Sequence, residues 1–322
     1  MRAVVQTGYG SADVMELRQI EKPTPGDGEV LVRVLAASLA AGEYYGMRGK
    51  PFPIRMYVGF PKPKKDFVVG LDCAGVVEAV GKDVTRFQPG EAVYGQCRGS
   101  CAEYACADPA QIARKPGNLT FEQAAAVPTS ACTALQGLRD HGKVRPGQKV
   151  LINGASGGVG PFAVQIAKAL GAEVTGVCST GNVEMVRSIG ADRVIDYTRE
   201  DFTQGGPRYD VIMDNVASHS LSETRRALTP DGVLIPSSGH AGMGWIIAAA
   251  LTAVFVRQQG KPFVASTNSA DLAVLAELID AGKVTPVIDR TYPLSDAPDA
   301  FRYLDEGHAR GKVVITVEDE SA

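Results

Sequence analysis

Between residues 149 and 178 the spacing of apolar positions changes rhythm twice. Val150, Leu151 and Ile152 form an unbroken apolar run, the pattern of a strand buried on both faces. Glycines follow at 154, 157, 158 and 160, and then Phe162, Ala163, Ile166, Ala167 and Leu170 recur at helical spacing until Gly171. A second apolar run over 174–178 completes a strand–helix–strand unit. The alternation continues with strands over 193–195, 209–214 and 233–236 and helices over 182–189 and 218–228. Interleaving of this kind predicts a parallel sheet covered by helices on both faces.

The first 125 residues follow a different rhythm. Short apolar or alternating segments recur at 3–6, 30–35, 75–80, 92–94 and 103–107, punctuated by Pro23-Thr24-Pro25-Gly26 and Pro89-Gly90. Helical spacing is weak there, so a compact antiparallel barrel is the natural packing. An Ala-rich helical stretch over 121–138, broken at Pro128, leads into the alternating region. After residue 263 the pattern gives helices over 269–281 and 296–306 and a last strand over 312–317, which periodicity alone leaves free to join either domain.

The 322 residues suffice for two cores, and 45% hydrophobic with 21% charged residues is ordinary for globular domains. A net charge of −3 supplies no basic field for nucleic acid. Strand-like residues at the very start give no sign of a leader, so a cytoplasmic chain with reduced thiols is expected. Cys97, Cys101 and Cys106 have no fourth cysteine or nearby histidine, and small buried residues account for them better than a zinc site. The apolar run over 245–256 is too short to span a bilayer. It reads as a core or dimer-contact helix, with a lid over an apolar substrate as the other reading. His141, His219, His240 and His308 read as surface or satisfied histidines.

The glycine spacing G-x-x-G-x-x-G between a strand and a helix predicts a pyrophosphate site. The helix start presents unpaired N–H groups and a positive dipole end, and glycines let the backbone come close. An NAD-binding unit places a carboxylate about 20 residues further on, at the ribose 2′-hydroxyl. Here that region is Cys178-Ser179-Thr180-Gly181-Asn182, with no acid before Glu184. Small hydroxyl and amide groups leave room for a 2′-phosphate, so NADP(H) is the expected cofactor. At the end of the 209–214 strand, Asp214 and Asn215 stand where ligands of such sheets collect.

Several further segments carry a resemblance: Gly70-Leu71-Asp72-Cys73-Ala74-Gly75, the 84–95 stretch, Ala102-Glu103-Tyr104, Ala126-Val127-Pro128 with Thr133-Ala134, the 153–160 turn, Ile195-Asp196-Tyr197 and the 307–314 segment. On these the chain resembles the medium-chain dehydrogenase/reductase superfamily, in its zinc-independent quinone oxidoreductase branch, nearly end to end. The resemblance implies an α/β protein with a Rossmann doubly wound parallel sheet plus a GroES-like (chaperonin-10-like) β-barrel. It divides the chain into a barrel over 1–125, a dinucleotide-binding domain over 126–265, and a 266–322 segment returning to the barrel. Association as a homodimer is also implied. Ser38 and Leu71 cannot supply the thiolate and imidazole that zinc alcohol dehydrogenases need, so no metal is expected.

The implied activity is NADPH-dependent hydride transfer to a quinone or an α,β-unsaturated carbonyl, acceptors that tolerate negative charge without a metal. A non-enzymatic NADPH-binding redox sensor or scaffold is the alternative, and alcohol or aldehyde dehydrogenation a more distant one. Residue by residue, the resemblance puts Thr133 beside the nicotinamide and Gly157, Gly158 and Val159 at the pyrophosphate. Ser179, Thr180 and Asn182 fall at the 2′-phosphate, Tyr197 at the adenosine phosphate, and Asn215, Val216 and Gly239 near the nicotinamide ribose. Lys312 ends the C-terminal cofactor motif. Tyr45 is the candidate proton donor or carbonyl positioner, with packing against substrate or cofactor as the other role. Ala40 and Glu43 depart from the Asn and Asp usual in that loop.

Overall fold

The computed structural model describes residues 1–237, 263–307 and 309–317. The chain forms two compact units, one from 1–129, 267–280 and 286–322, the other from 130–266 and 281–285.

In the first unit β1 (Arg2–Gln6) and β2 (Met15–Gln19) make an antiparallel ribbon. The centre is β3 (Val30–Leu39), with nearly every residue buried. It is followed by two short helices, α1 (Ala41–Arg48) and α2 (Ile54–Val58), and then by β4 (Asp72–Val80), β5 (Ala92–Gln96), β6 (Tyr104–Ala107), β7 (Ile112–Arg114) and α3 (Phe121–Ala125). Along one edge the first half of β3 pairs with β6, while β4 runs antiparallel along the other. Gly75 in β4 is required by that pairing, because a Cβ there would lie 2.1 Å from the Arg33 carbonyl oxygen.

The second unit begins at α4 (Pro128–Gln136), whose first two residues belong to the first unit. Its sheet contains β8 (Lys149–Asn153), β9 (Glu173–Cys178), β10 (Arg193–Asp196), β11 (Tyr209–Asp214) and β12 (Leu228–Pro236), with α5 (Gly160–Ala169), α6 (Val183–Ser188) and α7 (Leu221–Arg226) between them. The order β10-β9-β8-β11-β12, all parallel, is that of a doubly wound sheet. The first eight residues of α5 are buried, Gln165 among them, so the helix is enclosed nearly all round.

The chain then returns to the first unit with α8 (Ser269–Asp280), β13 (Ile288–Pro293), α9 (Ala297–Asp305) and β14 (Lys312–Thr316). β14 pairs antiparallel with β3, Val313 opposite Leu39 and Thr316 opposite Ala36, and completes the order β13-β14-β3-β4-β5-β7. The last strand therefore belongs with the β-rich head. Residues 281–285 go with the parallel sheet instead, because Gln165 of α5 clasps Thr285 through two hydrogen bonds of 2.8 and 2.9 Å.

The expectation of reduced thiols fails at one pair. Cys73 and Cys97 form a disulfide, because β4 and β5 are neighbours and bring their Cα atoms to 6.1 Å. Cys101, Cys106, Cys132 and Cys178 are free thiols. No helix among the described residues is long and apolar enough to cross a membrane. The apolar run over 245–256, together with Gly239, His240 and His308, lies outside the described residues.

Candidate functional site

Two polar sites stand out, one in each unit. The first crowns the carboxyl edge of the parallel sheet. β8 ends at Asn153, and the chain turns through Gly154, which has a φ of +75° and has no room for a Cβ, since one would meet Val216 at 2.6 Å. A Cβ on Gly160 would lie 2.2 Å from the Gly154 carbonyl oxygen. Gly157 is different: its nearest neighbour would be 3.8 Å away, so the absent side chain leaves an open approach to the backbone. No side chain caps the start of α5, which leaves its first amides available to an anion.

Around this turn the strand ends supply small polar groups. Asn182 Nδ2 donates to Ser156 Oγ at 3.2 Å and to Ser179 Oγ at 3.1 Å, tying the glycine turn to the end of β9. Asn182 Oδ1 is buried with no hydrogen-bond partner among the described residues, an acceptor held in place for a donor from outside the chain. Thr180 is committed differently: its hydroxyl donates to Asp196 Oδ2 at 2.6 Å. That bond, with further help from Thr198 and Arg199, holds the Asp196 carboxyl below the usual range. Arg199 Nε stands 3.6 Å from the same carboxylate. Tyr197 follows, 62% exposed.

At the end of β11, Asp214 is fully buried, and its Oδ1 accepts from Asn153 Nδ2 (2.8 Å), Val216 N (3.1 Å) and Ala217 N (2.8 Å). Asn215 Nδ2 donates to the Asn153 carbonyl at 3.0 Å, and Ser237 donates to Asn215 Oδ1. Asp214 thus fixes the 215–217 loop against the glycine turn, which explains why Asn215 and Val216 keep station beside it. Gly157, Gly158, Val159, Ser179, Asn182, Asn215 and Val216 therefore share one edge of the sheet. Thr133 lies half-buried on α4. An uncapped helix start, an approach cleared of side chains and an orphaned buried amide oxygen suit a dinucleotide.

The second site is a buried charge cluster in the first unit. Asp72 opens β4, and its carboxylate accepts from Thr129 Oγ1 at 2.5 Å and from Thr129 N at 3.2 Å. Lys312 Nζ stands 3.8 Å from Asp72 Oδ2, and both side chains are essentially sealed from solvent. Sequence put Lys312 with the cofactor residues; the structure turns its ammonium toward Asp72. Burial pushes the Asp72 carboxyl up, against the pull of Lys312 and Thr129. Glu43 is the third member. Its Oε2 accepts from Ala40 N at 2.9 Å, an N-terminal bond of α1, while its Oε1 is buried with no hydrogen-bond partner among the described residues. Burial, then the Asp72 charge, pushes Glu43 up to about 7, with Lys312 opposing. Two carboxyls facing one ammonium in a dry interior favour retention of a proton by the pair. Sequence flagged Glu43 only as a departure; its burial beside Asp72 had no local signal.

Tyr45 follows two residues on, half-buried, its ring edge-on to Tyr44 with centroids 5.4 Å apart. Burial, then Tyr44, raises its phenol, which stays protonated at neutral pH. The histidines were read as surface or satisfied groups. His141 stacks on Phe263 at 4.3 Å, and His219 Nε2 lies 3.2 Å from Asp201 Oδ1.

A zinc ion does not fit the cluster. The Ser38 hydroxyl donates to the Ala125 carbonyl at 2.8 Å, and Lys312 already brings positive charge to Asp72. No group of three or more His, Cys, Asp or Glu among the described residues could hold a metal.

Known proteins match this arrangement along its length. A family model described as "Alcohol dehydrogenase GroES-like domain" matches residues 26–137, and one described as "Zinc-binding dehydrogenase" matches 189–315. The chain is 34% identical to the 2-methylene-furan-3-one reductase of Solanum lycopersicum, covering 98% of this chain and 79% of that protein. It is equally 34% identical to the chloroplastic NADPH-dependent alkenal/one oxidoreductase of Arabidopsis thaliana, over the same shares. The structure of the quinone oxidoreductase from Coxiella burnetii superposes with a TM-score of 0.86 at 29% identity, covering 99% of each chain.

Proposed function

The chain belongs to the zinc-independent quinone oxidoreductase branch of the medium-chain dehydrogenase/reductase superfamily, an oxidoreductase that uses a nicotinamide cofactor; from that membership we propose that it reduces quinones or α,β-unsaturated carbonyls with NADPH. The observation that carries the cofactor reading is the Ser156–Asn182–Ser179 cluster beside the uncapped start of α5. Gly157, Gly158 and Val159 would hold the pyrophosphate through backbone amides. Ser179 would receive the 2′-phosphate through its hydroxyl, with Asn182 Nδ2 holding Ser179 in place and Asn182 Oδ1 accepting from a ribose hydroxyl; Thr180 would stand at the margin because Asp196 engages its hydroxyl. Arg199 offsets the Asp196 charge, so that carboxylate repels the phosphate less than an isolated acid. Tyr197 would lie along the adenosine, Asn215 and Val216 along the nicotinamide ribose, and Thr133 beside the ring.

The bound cofactor supplies a hydride. For an enone, hydride at the distal carbon leaves an enolate, whose oxygen needs a hydrogen-bond donor and whose α-carbon needs a proton. Tyr45 is the proposed donor, since its phenol is protonated at neutral pH. Because the cluster does not fit zinc, no step passes through a metal.

The test is initial rates of NADPH and NADH oxidation against a panel of quinones, enones and simple aldehydes, before and after chelation. The expected result is turnover of quinones or enones, preference for NADPH, and indifference to chelator. Absence of turnover with a retained NADPH-induced rise in thermal midpoint would favour a cofactor-binding sensor; absence of both would refute the cofactor site.

A further inference from the structure

Four of the nine large apolar side chains that the described residues leave exposed lie within 52–60: Phe52, Met56, Tyr57 and Phe60, between 53% and 74% exposed. They project from a braced platform. Val58 is buried, the Phe52 and Phe60 rings meet edge-on at 5.6 Å, and Tyr57 packs edge-on against Phe67. Arg55 lies over the Tyr9 ring at 4.4 Å and donates to the Gly49 carbonyl at 3.0 Å. Tyr9 in turn donates to the Gly59 carbonyl.

The charge around this platform is as uneven as its polarity. Lys50, Arg55, Lys62, Lys64 and Lys65 stand against Asp66 alone, a balance of +4 over 50–66 in a chain whose total is −3. Lys62, Lys64 and Lys65 are exposed, and no carboxylate among the described residues pairs with them. A second copy of this chain would bring the same positive patch to a two-fold contact, so self-association through this face is opposed by charge. Aromatic and methionine side chains rimmed by lysines match the headgroup boundary of an anionic bilayer: rings and thioether enter, ammonium groups meet lipid phosphates.

We propose that residues 50–65 form a docking surface for an anionic lipid bilayer, holding the enzyme at the membrane surface without spanning it. The test stands apart from the assigned reaction, because flotation involves neither cofactor nor turnover. The experiment is flotation of the full chain with phosphatidylcholine vesicles with and without phosphatidylglycerol, at low and raised salt. The expected result is co-flotation with the anionic vesicles alone, weakened by salt. Lys62→Gln, Lys64→Gln and Lys65→Gln together should lower partitioning on the order of a hundredfold, about fivefold for each lysine. Phe52→Ser, Met56→Ser and Phe60→Ser together should lower it at least about tenfold through lost apolar insertion. Every changed residue is exposed, and an unchanged thermal midpoint verifies that each variant folds. Failure of the parent to float, or flotation that either triple variant leaves intact, overturns the proposal.

Discussion

Replacing Lys312 by Met removes the ammonium 3.8 Å from Asp72 while keeping an unbranched side chain in a site that is 1% exposed. Asp72 would then be left with Thr129 as its main support, beside a second carboxyl on Glu43. Breaking a buried pair on one side costs about 3–5 kcal/mol, because the remaining charge has lost its compensation. At roughly 2–4 °C per kcal/mol for a domain of this size, the thermal midpoint should fall by about 10 °C. The loss should depend on pH with a defined sign. Asp72 already titrates above its unfolded value, and Lys312 opposes that rise. Without the lysine the folded carboxyl rises further, so the variant loses stability relative to the parent as pH increases and regains it on acidification. Adding Asp72→Asn should restore most of the loss, since the double variant carries no orphaned charge. Urea titrations followed by circular dichroism, across pH and for all four corners of the cycle, measure this. A Lys312→Met protein within about 0.5 kcal/mol of the parent, near the limit for additivity of independent sites, would refute the reasoning. So would a double variant no more stable than the single.

Glu43→Gln should flatten the pH dependence of stability. The native carboxyl rises from 4.5 to about 7, so its stabilising contribution is complete below 4.5 and is lost as pH rises through 7. The span is worth about 3 kcal/mol at 1.36 kcal/mol per unit, and a parent whose stability is level over that window would contradict it. Gly160→Ala forces a Cβ to 2.2 Å from the Gly154 oxygen and should cost about 1–3 kcal/mol of stability together with most NADPH affinity, read by denaturation and by cofactor titration. Ser179→Asp should move kcat/KM preference from NADPH toward NADH by about tenfold or more, because a carboxylate accepts from the ribose hydroxyl and repels the 2′-phosphate.

The parallel sheet was legible because its strands are continuous apolar runs and its turn is written in glycines; β8, β9 and β11 cover the 150–152 and 174–178 runs and the 209–214 stretch. Elements with no apolar stripe escaped. α1 is Ala-Gly-Glu-Tyr-Tyr-Gly-Met-Arg, whose helix is secured by the Glu43 bond to Ala40, and β13 is a polar strand that, among the described residues, pairs with β14 alone. The glycine turn and the β9 end could be read as a cofactor site from local spacing. The Asp72–Lys312–Glu43 cluster could not, because its members are brought together by strand pairing between β3 and β14 across nearly the whole chain. Arg199 was equally out of reach, since only the turn after β10 brings it to Asp196.

The pairing of β3 with β14 also sets an order of events during synthesis. When the ribosome has released the first 129 residues, the stretch of β3 from Ala36 to Leu39 still waits for a neighbour made nearly two hundred residues later. An open edge of that kind invites mispairing, and chains that are made slowly are exposed to it longest. The nascent barrel also holds Asp72 without its ammonium until Lys312 emerges on the same late strand, so seam closure and charge neutralisation coincide. Truncation just before β14 should therefore yield an aggregating barrel beside a doubly wound sheet that still folds.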